Sequence, residues 1–214
     1  MLYVPEQGMN QVPPYEFYTQ KRWENWLGRA RESGFQIKES EDESGKESAI
    51  FVNMVDDVIL ACLKVVARFD KGMLSRETAL EILAEIRDIV LSDVEPISED
   101  INLMIDSVQT SLMGALIAFE CYVMGDYDEG ANIAELVKSA IEAESSDNLE
   151  IALDYTAQCG ALVLKGKSLP EEVMADLPYG IVAEWLDGID SISAAMVGSD
   201  SYKEFDEEDE EDIA

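Results

Sequence analysis

The sequence predicts an all-α protein, a single-domain helical bundle of about seven helices packed around a central apolar helix near residues 99–124. Three observations carry that reading. Apolar residues recur at three- and four-residue intervals along most of the chain, the spacing that gathers them on one helix face. No stretch shows the sustained alternation of a strand. Helix caps and breakers fall between the periodic segments, with Thr19 and Ser75 at expected starts, Pro96 and Ser98 separating the third helix from the fourth, and Gly34, Gly72, Gly125 and Gly166 at expected stops.

Taken in order, residues 1–16 hold Pro5, Pro13 and Pro14 and read as an irregular N-terminal arm. Thr19 is placed to cap a first helix over about 20–33, in which Trp23, Trp26, Leu27 and Ala30 share a face, and Gly34 ends it. Lys38 to Glu47 reads as a charged loop. A long helix over about 48–70 carries Phe51, Met54, Val55, Val58, Ile59, Cys62 and Val66. Ser75 caps a third, about 76–92, striped by Ala79, Leu83, Ile86 and Val90. The fourth, about 99–124, has little polar face between Leu103 and Val123, the mark of a helix surrounded by others. Its longest purely apolar run, Leu112 to Phe119, is too short to span a bilayer. Helices over about 131–144 and 148–165 follow. Pro170 opens a short helix, and a last one runs over about 179–197. The helical domain thus covers 17–198. Residues 199–214, ending in FDEEDEEDIA, read as a disordered acidic tail, because like charges at that density repel.

The charge narrows the function classes. The chain carries 46 Asp and Glu against 15 Lys and Arg, a formal net charge of -31. Phosphate backbones are bound by clustered cations that displace counterions, so direct nucleic-acid binding is not expected. Anionic membranes are disfavoured on the same ground. Histidine is absent from the sequence. That removes Ser-His-Asp and Cys-His catalysis from this chain, along with the Glu-x-x-His di-iron bundles. No catalytic residue is assigned. Cys62, Cys121 and Cys159 are odd in number, far apart and set in apolar helices, which is neither a disulfide framework nor a zinc spacing. The N-terminus lacks a basic patch followed by an apolar run, so the expected location is cytoplasmic.

Self-repulsion at this charge opposes compaction, and salt screens it. The thermal unfolding midpoint should therefore rise steadily from about 0.01 M to about 1 M potassium chloride, a range over which the Debye length falls from about 30 Å to about 3 Å. An unchanged midpoint across that range would contradict this account.

Four separated stretches, FYTQKRWENWL (Phe17 to Leu27), EIRDIVL (Glu85 to Leu91), DSVQTSLMG (Asp106 to Gly114) and YGIVAEWLDGIDSISAAM (Tyr179 to Met196), together resemble an uncharacterised protein family of methanogenic and halophilic archaea. The resemblance spans about 17–197. It implies an archaeal cytosolic origin, and it implies no activity.

Candidate sites are few. In the central helix the polar insert Asp106, Ser107, Gln109, Thr110 and Ser111 interrupts an apolar surface, and Asp106, Gln109 and Thr110 lie along one strip. Polar groups in such a place need partners, so this strip is either a ligand pocket or a buried polar network that fixes packing. In the first helix Lys21, Arg22, Trp23 and Trp26 combine the residue types that dominate protein interfaces, or else the indoles pack inward. The turn Asp126, Asp128, Gly130 is a weak candidate for a divalent cation. An EF-hand loop counted from Asp126 would need Gly and Glu where Ala131 and Val137 stand, so the alternative is an acidic turn bonded to its own backbone. Glu85 with Asp88, and Glu184 with Asp187, are carboxylate pairs on single helix faces of the kind that hold Mg2+ in all-α pyrophosphohydrolases, though a Glu-x-x-Glu partner is missing from the helical region. No cofactor is expected other than a divalent cation at that acidic turn.

Two functions remain. The leading one is a non-enzymatic acidic helical protein acting by protein-protein interaction or regulation, with a basic protein partner and homo-oligomer formation both open. The alternative is a Mg2+- or Mn2+-dependent hydrolase using Asp and Glu ligands.

Overall fold

In the computed structural model the described residues are 17–37 and 45–197, and within them the chain forms eight helices. The expected arm 1–16, the tail 199–214 and most of the charged loop lie outside the described residues. The helices are α1 (Gln20–Ser33), α2 (Gly45–Asp70), α3 (Arg76–Val90), α4 (Glu99–Met124), α5 (Ile133–Ser145), α6 (Leu149–Leu164), the five-residue α7 (Glu171–Ala175) and α8 (Ile181–Val197).

The starts are set by side chains that satisfy the free N–H groups of a first turn. Thr19 accepts from the Arg22 amide, Ser75 from the Thr78 amide and Ser98 from the Ile101 amide. Gly34 and Gly125 close α1 and α4 with positive φ, the left-handed conformation that costs glycine no Cβ clash. One boundary differs from the sequence expectation: α2 begins at Gly45, inside the segment read as a loop. Apolar periodicity cannot detect a polar first turn, and Lys and Glu are good helix formers.

α4 is the axis of the bundle. It packs against α2, α3, α6 and α8, while α5 packs on α6 and α8 and α1 on α2 and α3. Ile101, Ile105, Leu112, Leu116 and Phe119 of α4 are buried, and Asp106 and Ser107 face outward. The helix as a whole is longer than the apolar run Leu112 to Phe119. By length and composition Glu99–Met124 is long and apolar enough to cross a membrane, and half of its most apolar window is buried inside the bundle.

α4 meets two neighbours at unusually short range. A Cβ built on Gly188 of α8 would stand 2.1 Å from the Ser111 carbonyl oxygen, and one on Gly160 of α6 would stand 2.3 Å from the Ala118 Cβ. Neither position can hold a side chain, so these two glycines set how closely the helices approach. α8 also lacks a cap from its own sequence neighbours. Its first amides are taken instead by Glu144 of α5, whose Oε1 accepts from Ile181 at 2.6 Å and from Val182 at 3.4 Å. A carboxylate there also complements the positive end of the helix dipole.

All three cysteines are buried and unpaired. Burial pushes the Cys121 and Cys159 thiols up to about 12, and that of Cys62 higher still, so they stay protonated and behave as small apolar side chains.

Candidate functional site

The aromatic and basic face of α1 is divided, with the indoles toward the bundle and the basic residues exposed. Trp23 is fully buried in the core, which corrects its reading as an interface residue: it stands three positions before Trp26 on the same helix, but Trp26 is only partly buried against that core. Trp26 is half-buried, and its indole Nε1 donates to Asp57 Oδ2 at 2.7 Å. Arg22 reaches the same carboxylate with two nitrogens, Nε donating to Oδ2 at 2.8 Å and a terminal nitrogen donating to Oδ1. Arg22 also lies over the Tyr18 ring, and Arg29 lies over Trp26 at 4.8 Å. Asp57 of α2 therefore gathers Arg22 and Trp26 into a clasp between α1 and α2, a bidentate geometry stronger than a single ion pair. Lys21 stays exposed.

The polar strip of α4 divides. Gln109 donates from Nε2 to the carbonyls of Val90, at 2.8 Å, and Ser92, at 3.0 Å, which satisfies the free carbonyl end of α3. The Thr110 hydroxyl donates to the Asp106 carbonyl one turn back. Asp106 and Gln109 border a recess of about 380 Å³ against the α3–α4 connection. Gln109 is thus committed to holding that connection, and Thr110 to its own helix.

At the acidic turn, Asp128 Oδ1 accepts from the Gly130 amide at 2.8 Å, a local turn-stabilising bond, and the Asp126 carbonyl faces the Cys121 thiol. Among the described residues no group of three or more Asp, Glu or Cys side chains stands where it could share a metal ion. The carboxylate pairs stay apart. Glu85 and Asp88 are on α3, Glu184 and Asp187 on α8, and these two helices are not among those that pack closely. Arg87, between the first pair, is engaged by Glu120 of α4, donating to both of its oxygens.

The remaining polar residues meet in a place the sequence did not signal. Phe51 and Val55 of α2 with Met104 and Val108 of α4 form the apolar floor of a groove of about 150 Å³. Asp187 and Ser191 of α8 and Ser107 of α4 form its polar rim, and Val52 stands at the edge, 60% exposed. Ser111 lines the groove while 95% buried, and its hydroxyl oxygen has no hydrogen-bond partner. Asp187 is at an exposed rim, yet partial desolvation and the Asp190 charge push its carboxyl above the ordinary carboxylate range. Its carboxylate is in no ion pair among the described residues; the one recorded bond at this residue runs from the Ser191 hydroxyl to the Asp187 carbonyl, at 3.1 Å. Three members of this site, Asp187, Ser107 and Ser111, were visible in sequence as parts of other motifs. Ser191 lies one turn beyond Asp187 and so on its face, a signal that could have been read. Val52 and Met104 could not have been found, because they join the site only through the crossing of α2 and α4.

With this geometry in view, the comparisons place the chain. The family model described as "Uncharacterized protein conserved in archaea (DUF2150)" matches residues 16–205. The chain belongs to this archaeal family. The match takes in all eight helices of the DUF2150 chain and therefore every residue of the groove. No curated protein and no solved structure matches the chain.

Proposed function

We propose that this DUF2150 protein is a non-enzymatic binding protein of the archaeal cytosol that docks a basic protein partner in the groove between α2, α4 and α8. The observation that supports this most is the state of its charged groups. Two cations that could neutralise carboxylates are spent within the fold, Arg22 of α1 on Asp57 and Arg87 of α3 on Glu120. Among the described residues Asp187 stands in no ion pair, beside an apolar floor with an exposed valine at its edge. An apolar centre ringed by polar groups is the usual anatomy of a protein-binding surface. The net charge of -31 would steer a basic partner to it, and the association should weaken as salt rises.

A photo-crosslinking residue placed at Val52 tests this, with one at Glu81, on the exposed face of α3, as the reference. In cell extract the Val52 probe should give an adduct with a basic protein that the Glu81 probe does not give. Equal labelling from both positions, or an adduct only with a second copy of this acidic chain, overturns the reading.

A further inference from the structure

We propose that the groove seats a lysine side chain of the partner protein, its alkyl stem on the apolar floor and its ammonium on Asp187. This deepens the binding reading above and rests on it. Three observations select the occupant. The first is size. A cavity of about 150 Å³ takes a guest of benzene dimensions. A lysine side chain, four methylenes and a nitrogen, is of that order.

The second is the pairing of an apolar floor with a polar end. Val55, Val108 and Phe51 lie behind the groove with 9%, 5% and 2% of their surface exposed, and they offer nothing but hydrocarbon. Such a floor suits an alkyl stem, which lysine buries readily while its charge stays at the rim. The third is the acceptor set. An ammonium carries three N–H donors on one compact centre. The groove offers the Asp187 carboxylate, the Ser191 and Ser107 hydroxyl oxygens at the rim, and the unpartnered Ser111 hydroxyl within. These acceptors come from two helices, and an ammonium with three separately directed donors can engage several of them from one compact centre. Ser111 is held where it is by the close approach of Gly188, so the pocket end is preformed.

The test uses a decapeptide rich in lysine, the same peptide with arginine in place of lysine, and the lysine peptide acetylated on its side chains. Binding is followed by calorimetry at about 0.15 M salt, with methyl NMR of the wild-type chain alongside. The lysine peptide should bind more tightly than the arginine peptide and shift the methyl signals of Val52, Val55 and Val108, and the acetylated peptide should do neither. Asp187→Asn should weaken lysine-peptide binding about tenfold, the effect of losing a charge-assisted hydrogen bond, while Glu81→Gln, which removes the same charge elsewhere, should change it less than about twofold. If both variants weaken binding equally, or the three valine methyls stay unmoved while the peptide binds, the lysine seat is wrong and the basic-partner reading survives. If neither basic peptide binds the wild type, both readings fall. If spermidine displaces the lysine peptide at equal concentration, the occupant is a free polyamine and the commitment to a partner's lysine is overturned.

Discussion

Gly188→Ala should lower the thermal midpoint by roughly 4–8 °C. The substitution puts a methyl group 2.1 Å from the Ser111 carbonyl oxygen, a backbone atom that cannot swing away. Overpacking of a tight core costs about 1–3 kcal/mol and sometimes more, and a backbone clash belongs at the upper end. Alanine returns about 1 kcal/mol through its higher helix propensity, which leaves a net loss of about 2 kcal/mol. For a chain of this size each kcal/mol moves the midpoint by about 2–4 °C. Gly28→Ala is the internal control. It is also inside a helix, but nothing lies within 4 Å of its added Cβ, so the propensity gain should appear unopposed and raise the midpoint by a few degrees. Opposite signs for the same chemical change, read by calorimetry, would establish that the α4–α8 crossing is set by contact distance. Equal signs would show that helix propensity dominates at both sites. Because Ser111 lines the groove, Gly188→Ala should also blunt lysine-peptide binding, whereas Gly28→Ala should leave it intact.

Arg87→Met should cost about 2–3 kcal/mol at pH 7, with a deficit that shrinks as the pH is lowered toward 5. Glu120 lies on α4 with its side chain 14% exposed and is paired by Arg87. In the native protein its carboxyl is raised above the ordinary value, chiefly by desolvation, with Asp88 adding to the shift and Arg87 opposing it. Without Arg87 the opposing influence is gone and the carboxyl rises further. A carboxyl whose folded pKa exceeds its unfolded value favours the fold below the unfolded pKa, and that contribution is lost as the pH rises through the folded pKa. The penalty of an unpaired, half-buried carboxylate is therefore greatest at neutral pH and fades as the group takes up a proton. Removing one partner of a buried pair typically costs about 3–5 kcal/mol, and the partial exposure of Arg87 places this pair lower. Glu120→Gln added to Arg87→Met should recover at least half of the loss, since it removes the stranded charge. Chemical denaturation of the two variants at pH 5 and pH 7 decides the matter. A deficit independent of pH would mean that Arg87 acts by packing its alkyl chain.

The all-α class and the central position of α4 were legible in sequence because they depend on periodicity and on local caps. Thr19, Ser75 and Ser98 bond amides three residues away, so their roles need no knowledge of the rest of the chain. What was not legible follows from long-range geometry. Glu144 caps a helix that begins 37 residues later. Asp57 captures Arg22 and Trp26 from across the α1–α2 connection. Trp23 and Trp26 carry the same residue type on neighbouring positions of one face, and only the placement of α2 sends the first into the core and leaves the second at its edge.

The candidate site shows the same division. The sequence by itself determined the charge, the absence of histidine and hence of the catalytic schemes that need it, the helical class and the buried thiols. Those properties are sums over residues or patterns within a few turns. The tertiary structure alone decided that the polar strip of α4 would be divided, with Gln109 turned to the end of α3 and Ser111 turned to the groove. It also decided that Asp187 would stand, in no ion pair among the described residues, over hydrocarbon from α2 and α4. The physical reason is that the groove joins segments near residues 51–55, 104–111 and 187–191. How closely α8 approaches α4 is set by the Gly188–Ser111 contact, which neither segment encodes alone.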